Sequence, residues 1–142
     1  VSGALELSVA AATSAGDLEA AARLFDRPLD EEASRRFLGD ERHHLLVARV
    51  GAEVVGFVSG VEMTHPDKGT ELFVYELAVA EAWRRRGIGT ALLRELSLVG
   101  RSRGCYGMWV LAEAENEAAV GLYRAFGAAG TDSVMFAWEF VA

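Results

Sequence analysis

Apolar residues occupy almost every position from Glu71 to Val79, and polar residues return at Glu81. Such a run predicts a strand in a sheet covered on both faces. Beyond a basic, glycine-containing stretch, Ile88, Ala91, Leu92, Leu96 and Val99 fall on one stripe at helical spacing, and Gly104 marks that helix's exit. Upstream, Leu5 to Val9 alternates as a short strand should, and Ser14-x-x-Asp17 forms a capping arrangement ahead of an alanine-rich helix, Leu18 to Phe25. Arg27-Pro28-Leu29-Asp30 breaks that helix, and a second, Glu31 to Leu38, ends at Gly39.

The segments His44 to Val50 and Glu53 to Val61 flank Gly51-Ala52, which predicts a hairpin, and Thr64 to Thr70 reads as a loop around Pro66, Asp67 and Gly69. Tyr106 to Ala112 is the next strand. Asn116 can cap a helix whose Ala119, Leu122, Tyr123 and Phe126 share a face, with Gly127 at its C-terminal end, and Met135 to Val141 is expected to close the sheet. A helix joins the strands at 71–79 and 106–112, so these two should pair in parallel. The expectation is an α/β chain forming one domain over residues 1–142, with no repeat and no linker.

Half the residues are apolar (51%) in a chain of 142, enough for a substantial core. The formal charge of -7 argues against nucleic acid or an anionic membrane as partner and would suit a cationic substrate, although an acidic surface also serves solubility. With one cysteine, Cys105, no internal disulfide can form, and His43, His44 and His65 offer no metal-ligand spacing. Cys105 opens a predicted strand, where a small buried thiol is expected rather than a nucleophile. No basic segment leads into an apolar core at the N-terminus and no run is long enough to span a bilayer, so a cytoplasmic location is the default expectation.

The most informative motif is Arg84-Arg85-Arg86-Gly87-Ile88-Gly89-Thr90. Glycine at 87 and 89 lets the backbone approach a bulky phosphate, the arginines add fixed positive charge, and the helix that follows presents its positive end to an anion. The spacing alone is equally compatible with turn glycines beside a solvated basic cluster. The apolar strand before it and the periodic helix after it favour a diphosphate site.

Together with Tyr75-Glu-Leu-Ala-Val79 and Asn116-Glu-Ala-Ala-Val-Gly-Leu-Tyr-Arg-Ala-Phe-Gly127, this loop resembles the GNAT superfamily of acetyl-CoA-dependent N-acetyltransferases, over most of residues 44 to 140. Phe73-Val-Tyr-Glu-Leu-Ala-Val79, Leu111-Ala-Glu113 and Val134-Met-Phe136 look most like the class I aminoglycoside 3-N-acetyltransferases. The resemblance implies a mostly antiparallel central sheet with one parallel pair splayed at the cofactor site, flanked by about four helices. It implies acetyl-CoA as cofactor and direct transfer in a ternary complex to an amine of a small polycationic substrate, an aminoglycoside antibiotic at its 3-N position. It also places the first two helices beside the acceptor pocket and allows a homodimer. Leu77, Ala78 and Val79 would offer backbone groups to the oxyanion and the pantetheine arm. Arg84, Arg85, Arg86, Gly87, Ile88, Gly89 and Thr90 would hold the diphosphate, and Asn116 would touch the coenzyme arm unless it serves only as a cap. The family often has an aromatic residue after the glycine ending this helix, where Ala128 stands here.

Acetyl transfer to an amine needs a base, because an alkylammonium titrates near about 10.4. Glu76 is the first candidate as the one ionisable residue inside an otherwise apolar strand, where partial burial raises a carboxyl pKa. Pairing with an arginine or facing water would explain it equally well on local grounds. The resemblance favours the base, since the class I enzymes have an acidic residue at the matching place. Glu113 is the reserve, as base or as anchor for a cation, or it simply favours a helix N-terminus. Tyr123 is the candidate acid for the departing thiolate, because a phenol near about 10 is protonated at neutral pH, although a tyrosine on an apolar helix face is often part of a core. Two other readings compete: acetylation of a protein N-terminus, a lysine or a polyamine, and a catalytically silent coenzyme A-binding module.

Overall fold

The computed structural model describes residues 6–141. By contact the chain forms two compact units, one running to Leu111 and one beginning at Ala112. The N-terminal unit is a five-stranded sheet in the order β1-β2-β3-β4-β5. Its strands are β1 (Leu7–Ala11), β2 (His43–Val50), β3 (Glu53–His65), β4 (Gly69–Val79) and β5 (Met108–Val110). The first three pairings are antiparallel, and β4 pairs with β5 in parallel, as the helical crossover between them dictates.

Both faces of the sheet are covered. On one, Leu46, Ala48, Val55, Val58, Leu72 and Val74 meet Ile88, Leu92 and Leu96 of α3 (Ile88–Ser102). On the other, Leu45, Val47, Val54 and Phe57 pack against Leu18 and Ala21 of α1 (Ala15–Ala21). This explains the near-continuous apolar runs of β3 and β4, and each fully buried Leu or Phe contributes about 1.5–3 kcal/mol. Two glycines permit the close contact. A Cβ on Gly56 would come within 3.0 Å of the Ala78 carbonyl oxygen, and one on Gly60 within 3.1 Å of the Phe73 carbonyl oxygen.

Local chemistry sets the helix starts. Ser14 Oγ accepts from the Asp17 amide while Asp17 accepts from the Thr13 amide, a reciprocal cap for α1. Asp30 Oδ1 accepts from the Ala33 amide at 2.7 Å to open α2 (Glu31–Gly39), with Glu31 and Glu32 in its first turn.

Several expectations need correction. The first helix is shifted from the expected Leu18 to Phe25: α1 starts at Ala15, directly after its Ser14 cap, and stops at Ala21, and a 3-10 turn, Ala22–Leu24, follows. The loop predicted for 64–70 is largely strand, because β3 and β4 continue to His65 and from Gly69, joined across Thr64 Oγ1 and Thr70 Oγ1 at 2.8 Å. Strand β5 is shorter than 106–112, because only Met108–Val110 find register partners on β4, at Leu72, Phe73 and Val74. The strand expected at Met135–Val141 does not form. Those residues have strand-like composition but no ladder partner among the described residues, and propensity without pairing makes no strand. Leu5 of the first predicted strand lies outside the described residues.

The C-terminal unit holds α4 (Glu117–Ala125). Gly127 adopts φ 99° and the Ala128 amide donates to the Tyr123 carbonyl oxygen, the left-handed closure a helix end favours. Among the described residues no helix is long and apolar enough to cross a membrane.

Candidate active site

A bulge decides what β4 presents. Ser59 stands opposite Glu76, but the next pairing joins Gly60 to Val74, so Tyr75 has no partner. In an uninterrupted strand Glu76 would share a face with Leu72 and Val74, beneath α3. The extra residue reverses the alternation: Leu77 and Val79 join the α3 face, Ala78 joins the α1 face, and Glu76 turns with Tyr75 to the side of α1 and α2.

There Glu76 lines a cavity of about 380 Å³ bounded by α2, the 25–30 connection, β2, β3 and β4. Its walls include Phe25, Leu29, Phe37, Phe57 and Val61, with Ser59, His43, Arg27 and Asp30 as polar members. Phe25 stands edge-on to Phe57 at a centroid distance of 4.7 Å. Burial pushes the Glu76 carboxyl up from its ordinary pKa, and the negative charge of Asp26 pushes it further the same way. A carboxylate in this state binds a proton more readily than a solvated one, as a base for an ammonium must.

Beyond Glu76, at the C-terminal end of β4, the backbone is free on one side. Parallel pairing to β5 covers only Leu72, Phe73 and Val74, so the groups of Leu77, Ala78 and Val79 that face away from β3 have no strand partner among the described residues. The chain then turns through a 3-10 segment, Glu81–Trp83, into the basic loop. Arg84 Nε donates to the Val79 carbonyl oxygen, and the Arg86 guanidinium lies over the Trp83 ring at 4.8 Å. Arg85 and Gly87 both have left-handed backbone, φ 64° and 79°, a geometry that gathers successive amides.

Helix α3 begins on Gly87 with no side-chain cap and no acidic residue in its first turn, unlike α1 and α2. Its first intrahelical bond runs from the Ala91 amide to the Gly87 carbonyl oxygen, which leaves the amides of Ile88, Gly89 and Thr90 unclaimed within the helix. Three free donors, a positive helix end and three neighbouring arginines suit a diphosphate.

The remaining candidates belong to the C-terminal unit. Asn116 Oδ1 accepts from the Ala119 amide at 3.2 Å, so its capping role is realised. Glu113 is exposed, and its carbonyl oxygen accepts from the Asn116 amide. Tyr123 is half-buried and burial raises its phenol, which stays protonated at neutral pH. Sequence reasoning missed Asp26 and the aromatic wall. An acid beside the Arg27-Pro28 break, between the helices expected at the acceptor pocket, was the available signal for Asp26. Among the described residues no group of three or more His, Cys, Asp or Glu could hold a metal ion.

A mixed sheet with one parallel pair, an anion-ready helix start after β4 and a carboxylate in a cavity beside that strand fit an acetyl-CoA-dependent acyltransferase. Residues 14–128 match the Acetyltransferase (GNAT) family, and the chain belongs to it. Acetyl-CoA is the cofactor of this family, and the free β4 edge and the uncapped start of α3 fit it. The chain is 33% identical over 121 residues to the N-alpha-acetyltransferase RimI of Mycobacterium tuberculosis, covering 85% of this chain and 74% of that protein. Its fold is similar to an aminoglycoside acetyltransferase, HMB0005, from an uncultured soil metagenomic sample, with TM-score 0.85 and 28% identity over 96% of this chain and 100% of that one. The fold is also similar to aminoglycoside N-acetyltransferase AAC(6')-Iy in complex with CoA, with TM-score 0.85 and 18% identity over 98% of each chain.

Proposed function

We propose that this acetyltransferase acts on the amine of a small cationic acceptor seated in the cavity of Glu76, with Glu76 as the base. The carrying observation is the β4 bulge, which moves that carboxylate from beneath α3 into a cavity where burial and Asp26 raise its pKa. Bound acetyl-CoA supplies the activated acetyl group. Glu76 takes the ammonium proton, directly or through water, and Glu113 is the reserve for that role. Backbone groups of Leu77, Ala78 and Val79 would polarise the acetyl carbonyl and align the pantetheine arm. Arg84 to Thr90 would hold the diphosphate, Asn116 would touch the coenzyme arm, and the Tyr123 hydroxyl would give a proton to the leaving sulfur. The family match crosses the boundary between the two compact units, which supports one acetyltransferase domain.

Aminoglycosides are the first acceptor class to test, supported by the resemblance in β4 and by the aminoglycoside acetyltransferases of similar fold. The resemblance points to the 3-N position, whereas one similar structure is a 6'-enzyme, so product regiochemistry must be read directly. A second reading, the amino terminus of a peptide, is favoured by the aromatic wall of the cavity and by the similarity to an N-alpha-acetyltransferase. A panel of aminoglycosides, polyamines and peptides, followed by mass spectrometry for acetyl-CoA-dependent modification, separates these readings. Acetyl-CoA binding without modification of any amine would instead favour a catalytically silent module.

A further inference from the structure

The cavity at Glu76 has two chemically distinct parts. Its ionic side chains are few: the carboxylates Glu76 and Asp30, with Asp26 beside Glu76, against the guanidinium of Arg27 and the imidazole of His43. Its walls are aliphatic and aromatic, with Phe25, Leu29 and Phe37 half-buried and facing the void above fully buried Phe57. Positive charge taken out of water requires a partner for each ammonium, and here three carboxylates, already opposed by Arg27, leave few partners to spare. Apolar surface, by contrast, finds a matching wall on two sides.

We infer that the acceptor recognised here is a primary amine attached to an apolar group, with Glu76 holding the ammonium and the wall of Phe25, Leu29 and Phe37 selecting the group beside it. This rests on the reading that the cavity holds the acceptor, and it makes α2 and the 25–30 connection the specificity elements. A polycation spread over several rings would meet hydrocarbon where it needs carboxylates. An amine with one apolar substituent satisfies both parts of the cavity, and each methylene it buries adds about fourfold in specificity, the equivalent of ~0.8 kcal/mol.

The experiment measures kcat/KM for glycinamide, alaninamide, leucinamide and phenylalaninamide, which share an α-ammonium and differ in side chain, alongside a tetra-ammonium 2-deoxystreptamine aminoglycoside. The expected result is a rise from glycinamide to leucinamide of about tenfold or more, with the aminoglycoside below leucinamide. Ala33 lines the cavity from the exposed side of α2, so Ala33→Phe should fill the void without touching the buried core. It should depress leucinamide and phenylalaninamide more than glycinamide while acetyl-CoA affinity stays unchanged by calorimetry. Ser34→Leu repeats the test one residue on. A flat series, or an aminoglycoside preferred over every amide, overturns the inference and leaves acetyl transfer at this site standing. If acetyl-CoA binds and no amine in the panel is acetylated, the acceptor role of the cavity falls along with it.

Discussion

Ser59 and Glu76 face each other across β3 and β4, one step from the unpaired Tyr75, and this single register position puts the carboxylate in the cavity. Bulges near functional sites re-aim side chains in this way. Ser59, though buried, belongs to the cavity lining rather than to the α3 core, because it shares the face of Phe57 two residues before it on β3.

Glu76→Gln preserves shape but cannot accept a proton. Turnover should fall at neutral pH by about 10²- to 10⁴-fold, the usual span of general base catalysis, and the deficit should shrink as alkaline pH supplies free amine. Because the carboxyl pKa is raised, wild-type kcat/KM should lose activity as pH falls through a value above the ordinary carboxylate range near about 4.3. A pH profile in which the variant tracks wild type throughout would move the base role to Glu113 or to water. If only KM rises, Glu76 binds the cation without taking its proton.

Gly89→Glu should place bulk and negative charge among the free amides at the start of α3. Acetyl-CoA affinity should drop strongly by calorimetry, with little change in thermal unfolding. Unchanged affinity in the folded variant would detach the diphosphate from this loop.

Tyr123→Phe retains the ring and removes the hydroxyl, so packing on α4 should persist while turnover falls by about 10²-fold or more. Turnover within about a factor of two of wild type would make Tyr123 structural.

Glu62 tests the opposite side of the sheet. Its carboxylate accepts from Arg103 Nε at 2.8 Å and contacts His44 Nε2 at 2.7 Å, with only 7% of its side chain exposed. Burial pushes its pKa up, but the hydrogen bonds and charges of Arg103 and His44 outweigh burial and hold the carboxyl below its ordinary value. A depressed carboxyl stabilises the fold above its unfolded-state pKa, and that stability disappears as pH falls through the folded value. Thermal melts should therefore show wild type losing stability below about pH 4.5, with Glu62→Gln less stable at pH 7 by on the order of 2 kcal/mol and flatter in acid. Identical melting profiles for the two proteins would reduce the cluster to a surface ornament.

The order of elements was legible in the chain because helices and strands here carry strong periodic patterns and their boundaries carry capping residues. Ser14, Asp30 and Asn116 each cap the helix they precede, and the helical crossover between β4 and β5 dictated their parallel pairing. The conformation of the basic loop was legible for the same reason: it is fixed locally by Gly87 and by the helix that the loop opens. The lengths of β5 and of the 65–69 hairpin were not, because strand ends depend on where a neighbour stops pairing.

By itself, the sequence of this acetyltransferase determined the strand, the basic glycine-containing loop and the helix that follow one another from β4 into α3. Only the tertiary structure decided which face Glu76 occupies, because alternation along an apolar run is ambiguous until pairing with β3 shows the extra residue at Tyr75. It alone brought Asp26 against Glu76 and assembled Phe25, Leu29 and Phe37 into one wall. The first of these joins segments about fifty residues apart, and long-range closure of that kind leaves no periodic mark on the residues it brings together.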